Sequence, residues 1–132
     1  MRIRIDPLDR LVSEYVRRRA DGYCERCGTY HGWKGLQASH FIGRSNHSVR
    51  YDECNLVALC FGCHQYFHSN PHEHQAWFLQ HLGQEAYDML QARRRQGAKP
   101  DRNALGIYYK CQLHALNSGG LFTTKEGIND RL

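Results

Sequence analysis

Two runs decide the fold: Leu36-Gln37-Ala38-Ser39-His40-Phe41-Ile42, and then Asn55-Leu56-Val57-Ala58-Leu59-Cys60-Phe61-Gly62-Cys63-His64-Gln65-Tyr66-Phe67-His68. Leu36 to Ile42 is strand-like, and Asn55 to Leu59 is a second short apolar run. Between them Gly43 to Glu53 is polar and rich in Arg, Ser and Asn. That is long for a hairpin loop, and long loops in compact domains are often functional. Nothing in it reads as a helix that could enter a major groove. Gly62 to His68 reads as a short helix starting at a Cys-x-x-Cys pair. Strand, strand, helix is the expected heart of the chain.

Cys60-x-x-Cys63 has a counterpart in Cys24-x-x-Cys27. Two such knuckles make a four-thiolate tetrahedral site that Zn²⁺ fills well, and four protein ligands leave no open position, so this zinc is structural. The 32 intervening residues (28–59) leave room for the whole hairpin. The rival for a lone pair is a redox dithiol. Cys54 and Cys111 are left over, as buried or free thiols.

Helices flank this segment. Asp6 can cap a helix over about Pro7 to Arg19, with Leu8, Leu11, Val12, Tyr15 and Val16 on its buried face. Asn70-Pro71-His72-Glu73 reads as a start with an Asn cap, Pro first and Glu at the capping-box position. That helix ends near Gly83. Another spans Gln84 to Arg95, and a last one Asp101 to Asn117 follows the linker Gly97-Ala98-Lys99-Pro100. Ser118 to Leu132 has little to bury and is expected to be a mobile tail. The 132 residues are one domain's worth. A chain this small gains from a metal staple.

Eighteen Lys and Arg against 13 Asp and Glu give a net charge of +5, which favours a polyanionic partner, most simply nucleic acid. Arg17-Arg18-Arg19 and Arg93-Arg94-Arg95 are either solvated helix ends or contacts to DNA. No apolar stretch approaches the roughly 20 residues of a membrane span, and none follows Met1-Arg2-Ile3-Arg4 as a signal-peptide core. The expectation is a cytoplasmic protein with no membrane partner. Its oligomeric state is open.

His64 and His68 are four apart, so a helix puts them on one face, where they can converge on one cation. For an arbitrary pair in a His-rich chain, ordinary surface residues are the alternative. Arg44 and Arg50 in the loop can hold phosphates, or pair with Asp52 or Glu53. His31, His47, His72, His74, His81 and His114 have no motif around them and read as surface residues.

The order His40 … Asn55 … His64 … His68, at separations of 15 and 9 between its first three members, resembles an HNH nuclease motif. Asn55-Leu56-x-x-Leu59-Cys60-x-x-Cys63-His64 is its most recognisable part. More closely, Leu36-Gln37-Ala38-Ser39-His40-Phe41, the pair Arg44-Ser45, Arg50-Tyr51-Asp52-Glu53-Cys54-Asn55 and Gly83-Gln84-Glu85-Ala86 resemble the phage recombination endonucleases called NinG or Rap. The resemblance covers roughly residues 20 to 95.

It implies an α+β fold with a zinc-stapled ββα-metal core (His-Me finger) flanked by helices, and a metal-dependent DNA endonuclease in the host cytoplasm. His40 would be the general base, Asn55 would hold the strands in register across the loop, and His64 and His68 would hold Mg²⁺ or Mn²⁺. Products would carry a 5′-phosphate and a 3′-hydroxyl, and the substrate would be branched or recombination-intermediate DNA. Many HNH enzymes carry Asp or His just before the base; here Ser39 stands there, a weak ligand, and NinG-like proteins also have a small residue. They often carry Asn where this chain has His64. The rival from another class is a zinc-stapled DNA-binding module without catalysis, which has no need of the histidine set.

Overall fold

Asp6 accepts a hydrogen bond from the Leu8 amide at 2.9 Å and starts helix α1 (Pro7–Arg19), whose Leu8, Val12, Tyr15 and Val16 are buried. Leu11, expected on that face, is only partly covered. The computed structural model describes residues 5–118, so most of the expected tail lies outside the described residues. After α1 the chain reverses through Asp21 and Gly22 at positive φ. A Cβ on Gly22 would stand 2.6 Å from the Tyr30 ring, so only glycine fits there.

Strands β1 (Gln37–His40) and β2 (Leu56–Leu59) pair antiparallel, with His40 opposite Leu56 and Gln37 opposite Leu59. All four residues of β2 are buried. Helix α1 and helix α3 (Phe61–Ser69) each pack on both strands. A strand covered on both faces reads as a continuous apolar run, as Leu56 to Leu59 does.

The connecting loop holds no helix long enough to enter a major groove, but it is not wholly irregular. It contains a single helical turn, α2 (His47–Arg50), and a 3₁₀ turn at Glu53–Asn55. Short-range bonds explain both: the Val49 amide donates to the Asn46 carbonyl, and Asp52 caps the second turn through the Cys54 amide.

Helices α4 (Pro71–Leu82) and α5 (Gln84–Gln96) follow, with Gly97 in the left-handed conformation closing α5. The expected Asn cap on α4 is not made. Asn70 also ends α3, and its side chain donates to the Tyr66 carbonyl, while Glu73 accepts from the Tyr66 hydroxyl. Asp101 caps α6 (Arg102–Asn117), which returns along α1 and buries Tyr109 against Tyr15. Among the described residues no helix is long and apolar enough to cross a membrane.

Candidate functional site

The four sulfurs of Cys24, Cys27, Cys60 and Cys63 lie within 4.8 Å of one another, and none is in a disulfide. A Zn–S bond of about 2.3 Å puts tetrahedral sulfurs about 3.8 Å apart. Cys27 and Cys60 Sγ are 3.9 Å apart, so the thiols fit zinc. Backbone amides of Cys27 and Cys63 donate to Cys24 and Cys60 Sγ, and Arg26 donates to Cys63 Sγ at 3.5 Å. Burial pushes the Cys63 thiol up to about 12, and the Arg26 hydrogen bond opposes that by favouring thiolate, the ligand form. Hydrogen bonds from Thr29 draw the Cys27 thiol down to about 6. The first knuckle docks on β2 through Glu25, whose amide donates to the Ala58 carbonyl and whose carboxylate accepts from the Ala58 amide.

At the other end of the hairpin, His40 closes β1. Its Nε2 lies 2.9 Å from the Arg50 carbonyl oxygen. A carbonyl can only accept, so Nε2 carries the proton and donates, which leaves Nδ1 with a free lone pair. Burial lowers the His40 pKa below the ordinary histidine value; the Arg50 carbonyl and Asp9 oppose that, and Arg44 and Arg50 reinforce it. The ring is therefore neutral at pH 7.

Asn55 is fully buried and ties off the loop. Its Oδ1 accepts from the Ile42 amide at 2.7 Å, and its Nδ2 donates to the carbonyls of Ile42 (3.0 Å) and Val49 (3.1 Å). The Phe41 amide donates to the Asn55 carbonyl at 2.9 Å. One side chain thus fixes both ends of the segment whose Arg50 carbonyl orients His40.

His64 and His68 sit one turn apart on α3, the helix packed on β1. Burial, then the neighbouring His68, lowers the His64 pKa, so its imidazole is neutral and able to ligate. Among the described residues the cysteines form the one group of three or more His, Cys, Asp or Glu with converging ligand atoms; His40, His64 and His68 do not form a second. Two histidines on a helix face suit a cation that takes its remaining ligands from water and substrate. Ser39 is buried, paired across the hairpin with Val57.

Arg44 and Arg50 are not paired with Asp52 or Glu53. Both reach Asp9 on α1: Arg44 Nη2 is 2.6 Å away, and Arg50 engages it with two nitrogens. Asp52 instead takes Arg93 at 2.6 Å. In the other arginine run, Arg17 and Arg18 lie over the Trp33 ring, and Arg19 donates to the Leu56 carbonyl.

Two histidines expected at the surface have defined surroundings. His74 on α4 stacks on Phe67 with centroids 4.6 Å apart and meets Phe41 edge-on, and its Nε2 is buried without a partner. Its spacing from Phe78, four residues on, is the signal for a buried ring. His81 is 2.8 Å from Glu25, stacked on Trp77. No local pattern announces that pair.

These elements define an α+β chain in which four clustered cysteines, able to hold a zinc ion, lie at one end of a two-stranded hairpin that carries an oriented, neutral histidine at the other. A family model described as "Bacteriophage Lambda NinG protein" matches residues 2–118. The chain belongs to that family. No curated protein matches it, and no solved structure does.

Proposed function

We propose that this protein is a metal-dependent DNA endonuclease with a zinc-stapled ββα-metal core, acting on recombination intermediates of a phage. The observation that carries the reading is the hydrogen bond from His40 Nε2 to the Arg50 carbonyl, which leaves Nδ1 as a free base on a neutral ring. A DNA-binding module has no use for a histidine so oriented. The order β1, β2, α3 and membership of the NinG family support the same reading.

His40 Nδ1 takes a proton from a water molecule as its oxygen attacks phosphorus. The new P–O bond forms as the bond to the 3′ oxygen breaks, and that oxygen leaves and takes a proton from solvent. The products are a 5′-phosphate and a 3′-hydroxyl. Asn55 acts through the loop by keeping the Arg50 carbonyl in place. His64 and His68 are the residues that would hold Mg²⁺ or Mn²⁺, with Ser39 a further oxygen nearby in sequence; a cation there supplies positive charge for the phosphate. Arg44 is exposed and near enough to act on His40, and it can exchange Asp9 for a flanking phosphate.

Nicking of supercoiled plasmid with Mg²⁺ or Mn²⁺, and its loss with chelator while zinc is retained, tests the proposal. Binding without nicking under all metals would leave the non-catalytic module. A labelled D-loop, a four-way junction and a linear duplex of one sequence, compared at fixed salt, test the substrate: equal rates on all three remove the recombination role.

A further inference from the structure

The turn α2 has a second side. One side holds His40 through the Arg50 carbonyl. The other, with His47, Ser48 and Tyr51, forms one wall of an open groove of about 620 Å³. The facing wall is the end of α5 and the linker to α6, with Arg94, Lys99 and Arg102. No carboxylate lines this lobe. The groove continues past Pro100 into a lobe of about 510 Å³ that Asp52, Glu53 and Asp101 do line, so the carboxylates are confined to that end, while Lys99 borders both lobes and Arg94 only the first.

The three cations differ. Arg102 is engaged with Asp6 and with the Tyr51 hydroxyl, each at 2.6 Å. Arg94 and Lys99 are exposed and form no ion pair among the described residues. Ala98, Pro100 and Tyr51 give the lobe an apolar surface, and Asn46 and Ser48 add neutral polar groups at its rim. Pockets for small organic ligands measure roughly 300–1,000 Å³ and combine apolar walls with a few polar groups. A flat base with a phosphate attached has the matching chemistry: ring on apolar wall, anion on free cations. Duplex DNA keeps its bases stacked inside, whereas an unpaired nucleotide exposes both parts.

We propose that this groove binds one unpaired nucleotide of the DNA strand on which His40 acts, with its phosphate on Arg94 and Lys99. This rests on the reading of the chain as a nuclease for its purpose, but the binding needs no cleavage. The groove lies in the same loop as the His40 contact, because Tyr51 directly follows Arg50. An unpaired nucleotide seated there would make selection of single-stranded or branched DNA a property of α2 and the linker.

The test uses the full zinc-loaded chain carrying His40→Ala, without added Mg²⁺ or Mn²⁺, and a labelled oligothymidylate. With Arg94→Gln and Lys99→Gln added, affinity should fall at least tenfold. The slope of log K against log salt should fall by about 0.7, the share of the one single-strand phosphate that the variant leaves without its cations. Thymidine 5′-monophosphate should shift the NMR signals of Tyr51 and Ala98, and inorganic phosphate only those near Arg94 and Lys99. In an otherwise wild-type background the double variant should keep its rate on a small chromogenic phosphodiester while its KM for single-stranded DNA rises. Zinc content and circular dichroism check that the variant is folded. Wild-type affinity and slope in the double variant, or nucleotide shifts elsewhere, overturn the proposal. A chain that nicks plasmid but binds oligothymidylate independently of Arg94 and Lys99 loses the groove and keeps the nuclease. One that never nicks but depends on both loses the nuclease and keeps the groove.

Discussion

The four-cysteine cluster and the histidine face of the same hairpin are built in opposite ways. The cysteines bring all four ligand atoms together, with amide and Arg26 donors already aimed at sulfur. The histidines bring an oriented base and a neutral neighbour but no group of three converging ligands. A closed ligand set serves folding, because nothing need enter it. An open one, in the function proposed, serves chemistry, because water and a phosphate would complete it. The rigid site braces the start of α3 and the first knuckle, and the open site lies on the elements so braced.

Breaking the rigid side should have the largest effect. Structural zinc carries an apparent binding free energy of about 10–16 kcal/mol, comparable with or above the 5–15 kcal/mol that typically holds a domain together. Cys24→Ser with Cys60→Ser should therefore give a chain without zinc and without a cooperative melt. Metal analysis and thermal unfolding check this; a full complement of zinc in that variant would place the metal elsewhere.

Asn55 comes next, because it joins the two sides. Asn55→Ala leaves the Ile42 amide and two carbonyls without their partner in a buried place. One unpartnered buried group costs about 1–3 kcal/mol, so a loss of at least about 2 kcal/mol is expected in urea unfolding. Cleavage should fall further than stability explains, since the Arg50 carbonyl loses its frame. Wild-type stability would show that the loop is held by α2 and α5 alone.

The two sides also differ in how readable they are from the sequence. Cysteine spacing announces a metal centre because its ligands come in local pairs; Asp6-Pro7 and Asp101 announce their helices because caps are local. The β2 run stands out for the same reason, being a short apolar stretch between polar ones, whereas β1, with Gln37, Ser39 and His40, is marked only by the flanking Leu36, Phe41 and Ile42. The surroundings of His40 are long-range. Asp9 meets Arg44 and Arg50 across 35 and 41 residues, and no spacing rule pairs them in preference to the nearby Asp52. The α2 turn is hidden because it is only four residues long and sits in a polar loop, resting on a few local bonds and on Asn55 rather than on helix propensity. His74 reads as a surface residue when the polar start of α4 is taken alone; its spacing from Phe78 points it inward, but nothing local announces the Phe41 and Phe67 rings that enclose it.

A smaller effect should appear in pH dependence. Catalysis needs His40 unprotonated, and its pKa is lowered, chiefly by burial. The acid limb of kcat/KM should therefore lie below about 6.5, the ordinary histidine value, with activity flat above it until another group titrates. A limb above that value would mean that the base is a different group. Smallest of all is Arg44→Ala. Its side chain is 59 % exposed, so the lost pair with Asp9 should change stability by less than about 0.5 kcal/mol. DNA affinity should still weaken measurably at low salt. An unchanged salt dependence would confine Arg44 to its ion pair.

The proposed function rests on His40 as the base of a metal-dependent cut in DNA. Its most direct test is the nicking rate of His40→Ala against wild type, both zinc-replete, equally folded and equally bound to DNA, in Mg²⁺ and in Mn²⁺. The expected loss is about 10²–10⁴-fold, the usual contribution of a positioned general base, with zinc content and affinity unchanged. Nicking by His40→Ala at the wild-type rate would contradict the account.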